Sequence, residues 1–265
     1  MARLSKVSTG EAFRQNFANA VERVRALQPR LQAGDDREDL HEARVAVRRL
    51  RSYLRTFEPV LEITWATSLR RRLERLNACL SEARDLDVLS EMVAGRDDTV
   101  PDRVATERLA KRRAAREELG HERSQTLLRD LDLAAERPQV RPEAQLAARR
   151  GVRALLARVW KRARRRVRRC GRKPADAELH RIRIAAKHVR YAAEVYGDLG
   201  AKSARALARH ARRLQTVLGR HHDAVVAAAR LQTLCELPPG TLGDAPRARW
   251  RPLWRKMCDD YRRLA

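Results

Sequence analysis

The chain of 265 residues carries 59 Lys and Arg against 34 Asp and Glu, a formal net charge of +25. A surface that repels itself this strongly calls for a polyanionic partner, whether nucleic acid, an anionic membrane or polyphosphate. No apolar run approaches the ~18 residues of a membrane span and "MARLSKVSTGEAFRQ" lacks the apolar centre of a signal peptide, so a cytoplasmic protein without membrane insertion is expected.

Hydrophobic residues make up 43% of the chain and aromatics only 4%, so the core must rest on Leu, Val, Ala and Ile. Gly (11) and Pro (10) are sparse, and the abundant Ala, Leu, Arg and Glu are strong helix formers. Breaks carrying Pro, Gly or acidic residues fall at 28–36, 57–62, 94–102, 136–143, 170–178, 196–203 and 237–247. Between them the sequence predicts helices over 9–28, 37–57, 63–94, 102–135, 143–170, 176–197, 201–236 and 246–264. No stretch sustains a two-residue alternation of β-branched residues, so the expected fold is all-α, without a sheet.

The chain also repeats itself. "LHEARVAVRRLR" from residue 40 lies over "LHRIRIAAKHVR" from residue 179, pairing His41 with His180, Arg44 with Arg183, Arg48 with Lys187 and Arg51 with Arg190. "LNACLSEARDLDV" from residue 76 lies over "LQTVLGRHHDAVV" from residue 214, pairing Asp85 with Asp223. The economical arrangement is two pseudo-symmetric four-helix bundles, residues 1–138 and 139–265, each burying its own apolar stripes.

The repeated helices have an unusual charge pattern. At about 100° per residue, His41, Arg44, Arg48, Arg51 and Arg55 fall within an arc of roughly 80°. Leu40, Ala43, Val47, Leu50, Leu54 and Phe57 fill the adjoining arc, which is the core face. In the second copy His180, Arg183, Lys187 and Arg190 flank Leu179, Ile182, Ala186, Val189, Ala193 and Tyr196. Acidic residues open both helices (Asp35, Asp36, Asp39; Asp176, Glu178), as the helix dipole prefers. Like charges three and four apart repel by about 0.2–0.5 kcal/mol per pair. The cations therefore sit at the seam with a neighbouring helix rather than opposite the core, in a row about 21 Å long. The third predicted helix and its copy add Arg70, Arg71, Arg72 and Arg75, then Arg209, His210, Arg212 and Arg213.

Two outcomes relieve such a row: salt bridges across the seam, with Asp85, Asp87 and Asp223 as partners, or a bound anion. Acids are too few to neutralise both sets, so Asp85 and Asp223 are expected to orient one or two cations and leave the rest for a ligand. Arg supplies bidentate forks and Lys a point charge, which is phosphate-binding chemistry. A gap one helix wide admits a single polyphosphate chain and not a duplex. Single-stranded nucleic acid wants stacking aromatics, and only Tyr53 and Tyr191 lie near the rows.

The remaining constellations carry less. Cys79, Cys170, Cys235 and Cys258 form no CxxC, which argues against a zinc site or redox pair. "HHD" at 221–223 offers ligand types, but adjacent helical residues diverge by about 100°, so no metal or cofactor is expected. His121 and His188 read as solvated or capping side chains. Trp250 and Trp254, spaced i and i+4, read as packing of the last helix on the core. The run "KRARRRVRRCGRK" (161–173) is either a solvated helix end whose cations suit the dipole or an extension of an anion track.

"HEARVAVRRLRSYLRTF", "ARDLDVL" and "LHRIRIAAKHVRYAAEVY" together resemble the paired signatures of the CHAD family, the conserved histidine α-helical domain, from about residue 9 to 264. The resemblance implies two pseudo-symmetric four-helix bundles in one domain. It also implies binding of inorganic polyphosphate through central basic side chains and, in bacteria, association with polyphosphate granules. Carried over residue by residue, it points to His41, Arg44, Arg48, Arg51, His180, Arg183, Lys187 and Arg190, and further to Arg72, Arg75, Arg209 and Arg213. The second copy departs from the pattern, because Val225 stands opposite Asp87. The expected function is non-catalytic polyphosphate binding. General nucleic-acid binding is the alternative, and a phosphate-transfer or hydrolytic enzyme a third class.

Overall fold

The computed structural model describes residues 7–34, 36–95, 99–236 and 249–264. Among them are nine α-helices and no strand: α1 (Thr9–Ala33), α2 (Arg37–Thr56), α3 (Ile63–Val93), α4 (Val100–Gly120), α5 (Glu122–Glu136), α6 (Ala148–Arg168), α7 (Asp176–Asp198), α8 (Lys202–Cys235) and α9 (Arg251–Arg262). The protein is all-α, and no described helix is long and apolar enough to cross a membrane.

Local chemistry starts most of these helices where expected. The Ser8 hydroxyl accepts from the backbone N–H of Glu11 at 3.1 Å, and Asp36 accepts from that of Glu38 at 2.7 Å. At α7 the carboxylate of Glu178 accepts from the backbone N–H of Ala175 at 2.9 Å. Asp35 and the predicted helix start at 246 lie outside the described residues.

Three expected boundaries move; the helix predicted from residue 143 begins only at Ala148, after a short 3-10 turn over Pro142–Gln145. The first helix runs through Pro29 to Ala33 instead of stopping at residue 28. An interior proline costs about 3 kcal/mol. Leu27 and Leu31, on either side of it, are both buried, and each buried leucine returns about 1.5–3 kcal/mol. The predicted helix over 102–135 is two helices, broken at His121. That residue is extended (φ −64°, ψ 141°), its backbone N–H bonds to Glu117 and Glu118 carbonyls, and its ring Nδ1 accepts from the Arg123 N–H at 3.2 Å. Capping is one of the two roles expected of His121, but a cap inside the predicted helix is not: it ends one helix and starts the next.

One large apolar cluster runs from Ala12 to Met257, with members from every helix. Trp250 and Trp254 are buried in it, and Trp254 and Tyr261 stack on Trp160 at 4.9 and 4.5 Å. α2 packs against α7, and α3 against α8. A second cluster, including Leu86, Leu89, Ala227 and Leu231, joins the ends of α3 and α8. It brings the stretches just before it, at Asp85 and Asp223, to the same end of the molecule.

The chain is stapled where α1 meets α6. Backbone N–H groups of Thr9 and Ala148 donate to the carbonyls of Leu146 and Val7, each at 2.8 Å, and the Thr9 hydroxyl donates to Leu146 as well. Gly151 lies against this knot, and a Cβ there would sit 1.9 Å from Thr9 Oγ1. Gly151→Ala is therefore expected to cost about 1–3 kcal/mol. At roughly 2–4 °C per kcal/mol for a chain of this size, thermal unfolding reads the loss directly. An unchanged midpoint would mean that the knot yields freely.

Candidate functional site

At the α2–α7 crossing the two cationic rows meet. On α2, Arg44 donates from Nε to the Ser81 hydroxyl of α3 at 3.0 Å, and its Nη2 lies 3.7 Å from Asp85. Arg51 donates from Nη2 to Glu74 at 2.7 Å, while its Nε is buried without a partner. Between them the Nε of Arg48 is also buried and unpartnered. Among the described residues no carboxylate lies within ion-pair distance of Arg48.

On α7, Arg183 is 8% exposed and its Nε has no partner either. It lies over Gly219, which occupies on α8 the repeat position that Ser81 occupies on α3. The serine that engages Arg44 in the first copy is thus absent from beneath Arg183. Lys187 stands one turn further along and makes no hydrogen bond or ion pair among the described residues.

The charge states show that these groups share one space. The Lys187 amine is pushed down to about 6, first by burial and then by Arg183 of its own helix and Arg48, Arg44 and Arg51 of α2. Arg183 is destabilised by burial, favoured by Asp223, opposed by Arg48 and Arg44, and favoured by Asp85. Arg44 in turn feels Asp85, Arg48 and Asp223. The half-buried Asp85 carboxyl is raised by burial and, less, by Asp223, against the pull of Arg44 and Arg183. Each aspartate therefore acts on the arginine of the other copy.

Histidines ring the cluster. Burial, then Arg84, lowers His41, with Arg44 and Arg48 adding to it and Glu38 opposing; its Nδ1 is buried and unpartnered. The His180 Nδ1 lies 3.3 Å from His222 Nδ1, close enough for one proton to be shared. His222 is held down to about 4 by burial and then by Arg183, His180, Lys187 and Arg44. His180 is lowered by burial, Arg183 and Lys187.

Other expected residues stand apart. Arg190 is 7% exposed and fully engaged: Nε donates to Glu194 at 2.8 Å, Nη1 to Gln215 at 3.1 Å, and its guanidinium lies 4.7 Å above the Tyr191 ring. It belongs to an internal network at the crossing, with Arg49 reaching the same Glu194, rather than to the open row. Arg72 turns toward α5 and pairs with Asp130. Arg75, Arg209 and Arg213 are exposed and make no hydrogen bond or ion pair among the described residues. Among the described residues no hydrogen bond or ion pair joins these four to the central groups. Asp87 also leaves the seam: fully buried, it receives a bidentate fork from Arg112 of α4, both bonds at 2.9 Å. His210 pairs with the buried Asp260 at 2.6 Å. His221 turns to Asp176 at 2.8 Å while its neighbour His222 faces His180, the divergence expected of adjacent helical residues. His188 is neither solvated nor a cap; its Nδ1 is buried and bare.

Sequence reasoning missed Glu74, Ser81, Arg84 and His222. Ser81 stands one turn before Asp85 and one after Asn77, which donates to it at 3.3 Å, so the i, i+4 ladder on α3 was a usable signal. Salt bridging across the seam is real but partial. Arg44 and Arg51 have acids, whereas among the described residues Arg48, Arg183 and Lys187 make no ion pair, and the Nε groups of Arg48 and Arg183 stay buried without an acceptor.

The family model of the CHAD domain matches residues 15–232. A search of curated proteins returns no match. Among solved structures, the CHAD domain from the plant Ricinus communis is similar to this chain with a TM-score of 0.74 and 28% identity, over 98% of this chain and 88% of that one. PptA from Streptomyces chartreusis shares the fold with a TM-score of 0.66 and 19% identity, over 97% of this chain and 95% of that one.

The uncompensated Lys187 has a consequence for stability. Its amine titrates near 6 in the fold and near the ordinary ~10.4 in the unfolded chain. Between those values the unfolded chain binds a proton that the fold does not. The destabilising effect is absent above about pH 10.4, grows as pH falls, and is complete below about 6. Lys187→Met should therefore raise the unfolding midpoint by several degrees at pH 6, with the gap closing toward pH 10. A variant less stable than wild type at pH 6 would contradict an unpaired lysine.

Proposed function

The chain belongs to the CHAD family, and on that premise we propose that it binds inorganic polyphosphate, without catalysis, at the crossing of α2 and α7. The observation that carries the reading is the convergence of Arg48, Arg183 and Lys187 from two helices, with guanidinium donors buried and unfilled. A linear polyanion supplies acceptors along the row, and Arg forks suit its oxygens. Asp85 lies 3.7 Å from Arg44 and Asp223 favours the charge on Arg183, so on this reading the two carboxylates orient the end of the row.

The crossing also speaks against a nucleic acid. Tyr53 and Tyr191 are 3% and 0% exposed and pack edge to face at 5.8 Å, so neither is a platform for a base. A duplex is far wider than the seam between packed helices, whose axes lie about 8–10 Å apart. The granule association carried by the family resemblance belongs to the same proposal.

Binding should take up protons. His41, His180, His222 and Lys187 are all held toward their neutral forms by burial and by neighbouring cations. A bound polyanion reverses that field and raises each of them, so affinity should grow as pH falls from 8 to 6. Calorimetry in buffers of different ionisation heat measures the protons absorbed, and a flat profile would remove these groups from the site. Arg48→Gln and Arg183→Gln should each weaken binding about tenfold, as expected for loss of one charge-assisted contact of ~1.4 kcal/mol or more.

The decisive comparison is competition. Labelled long-chain polyphosphate should resist displacement by duplex DNA or RNA at equal phosphate concentration and physiological salt. Displacement by DNA would favour general nucleic-acid binding. Release of phosphate from polyphosphate with a divalent metal present would show turnover and overturn the non-catalytic part of the proposal.

A further inference from the structure

The densest positive charge in the sequence, from Lys161 to Lys173, lies at the end of α6 and outside the central cluster. α6 has no acidic residue anywhere along Ala148–Arg168. Arg166 reaches across to α7, donating from Nη1 to the Arg181 carbonyl at 3.1 Å, and so pins the end of α6 beside the cationic row. Arg162 is disfavoured by burial and then by Arg158 and Arg55; the carboxylate that offsets this, Glu58, already accepts from Arg55 and Arg70, each at 3.2 Å.

His188 ties this group to the centre. Its Nδ1 is buried with no hydrogen-bond partner. Burial holds its imidazole down to about 4, aided by Arg55, then Lys187, then Arg166 and Arg162. One side chain thus feels the last cation of the central cluster and the α6 arginines together. Arg55 is the next turn of the α2 row after Arg51, so the row does not end at the crossing.

We propose that Arg55, Arg162 and Arg166, grouped around His188, form a second anion subsite, into which a polyphosphate chain passes as it leaves the central cluster at Lys187. This rests on the proposed function and adds a length requirement to it. From Arg44 to Arg55 the α2 row covers about 16 Å. Crossing to α6 adds about 8–10 Å. A tripolyphosphate fits within the centre, whereas a chain of tens of phosphates reaches both subsites.

The test compares those two probes on wild type and on the double variant Arg162→Gln/Arg166→Gln. Both arginines are exposed, so the variant should fold, and circular dichroism checks that it does. Long-chain affinity is expected to fall about tenfold or more, with tripolyphosphate affinity changed less than twofold. The slope of log affinity against log salt for the long chain should shrink by about 1.4, if each lost cation counts as it does on single-stranded nucleic acid. Equal losses for both probes, or no loss for the long chain, would overturn the second subsite while leaving central binding intact. Wild-type protein that binds neither probe would instead bring down the polyphosphate reading, and this inference with it.

Discussion

Everything in this molecule is arranged around unneutralised positive charge held in place by an apolar frame. Arg48, Arg183 and Lys187 gather at the α2–α7 crossing, where burial first, and then the neighbouring arginines, hold the Lys187 amine down to about 6. Such an arrangement opposes folding, since removing a cation from water without a partner costs several kcal/mol. It persists because the surrounding helices are fixed independently: by the continuous core, the backbone knot between Thr9 and Leu146, and the buried fork from Arg112 to Asp87. On the proposed function, the ligand supplies what the chain leaves out. Stability and affinity are then opposed at the same side chain.

The two copies of the repeat are chemically unequal at the site. Ser81 engages Arg44, whereas Gly219 leaves Arg183 bare. Arg51 is answered by Glu74 across the seam, but its counterpart Arg190 is drawn inward to Glu194 and Gln215. Asp87 anchors α4, and Val225 stands opposite it in the sequence. The first copy is thus the better neutralised, and the second contributes the strained charges, with the His180–His222 pair beside them. A duplication whose halves divide these tasks can orient one anion asymmetrically.

Much of this was legible in the sequence because helical periodicity is strong where core and cations share one helix. The 3.6-residue period placed α2 and α7 within a residue or so of their observed ends, and put their cations on the flank of the core. Pro29 misled, since burial of Leu27 and Leu31 outweighs a local penalty. His121 misled in the other direction, because a histidine that caps carries no breaker signature. Arg190 sits on the expected arc, yet its fate depends on Gln215, 25 residues further along the chain on another helix and adjacent only in three dimensions. His188 shows the same limit: its neighbours Arg162 and Arg166 lie on α6, to which no local pattern points.

The central claim is that one anion is held by both rows at once. A crystal structure of the protein grown with tripolyphosphate tests it most directly. The account predicts phosphate density between α2 and α7, within hydrogen-bond distance of Arg48, Arg183 and Lys187 together. Density confined to the outer surface of a single helix, with those three side chains left as they are without ligand, would contradict it.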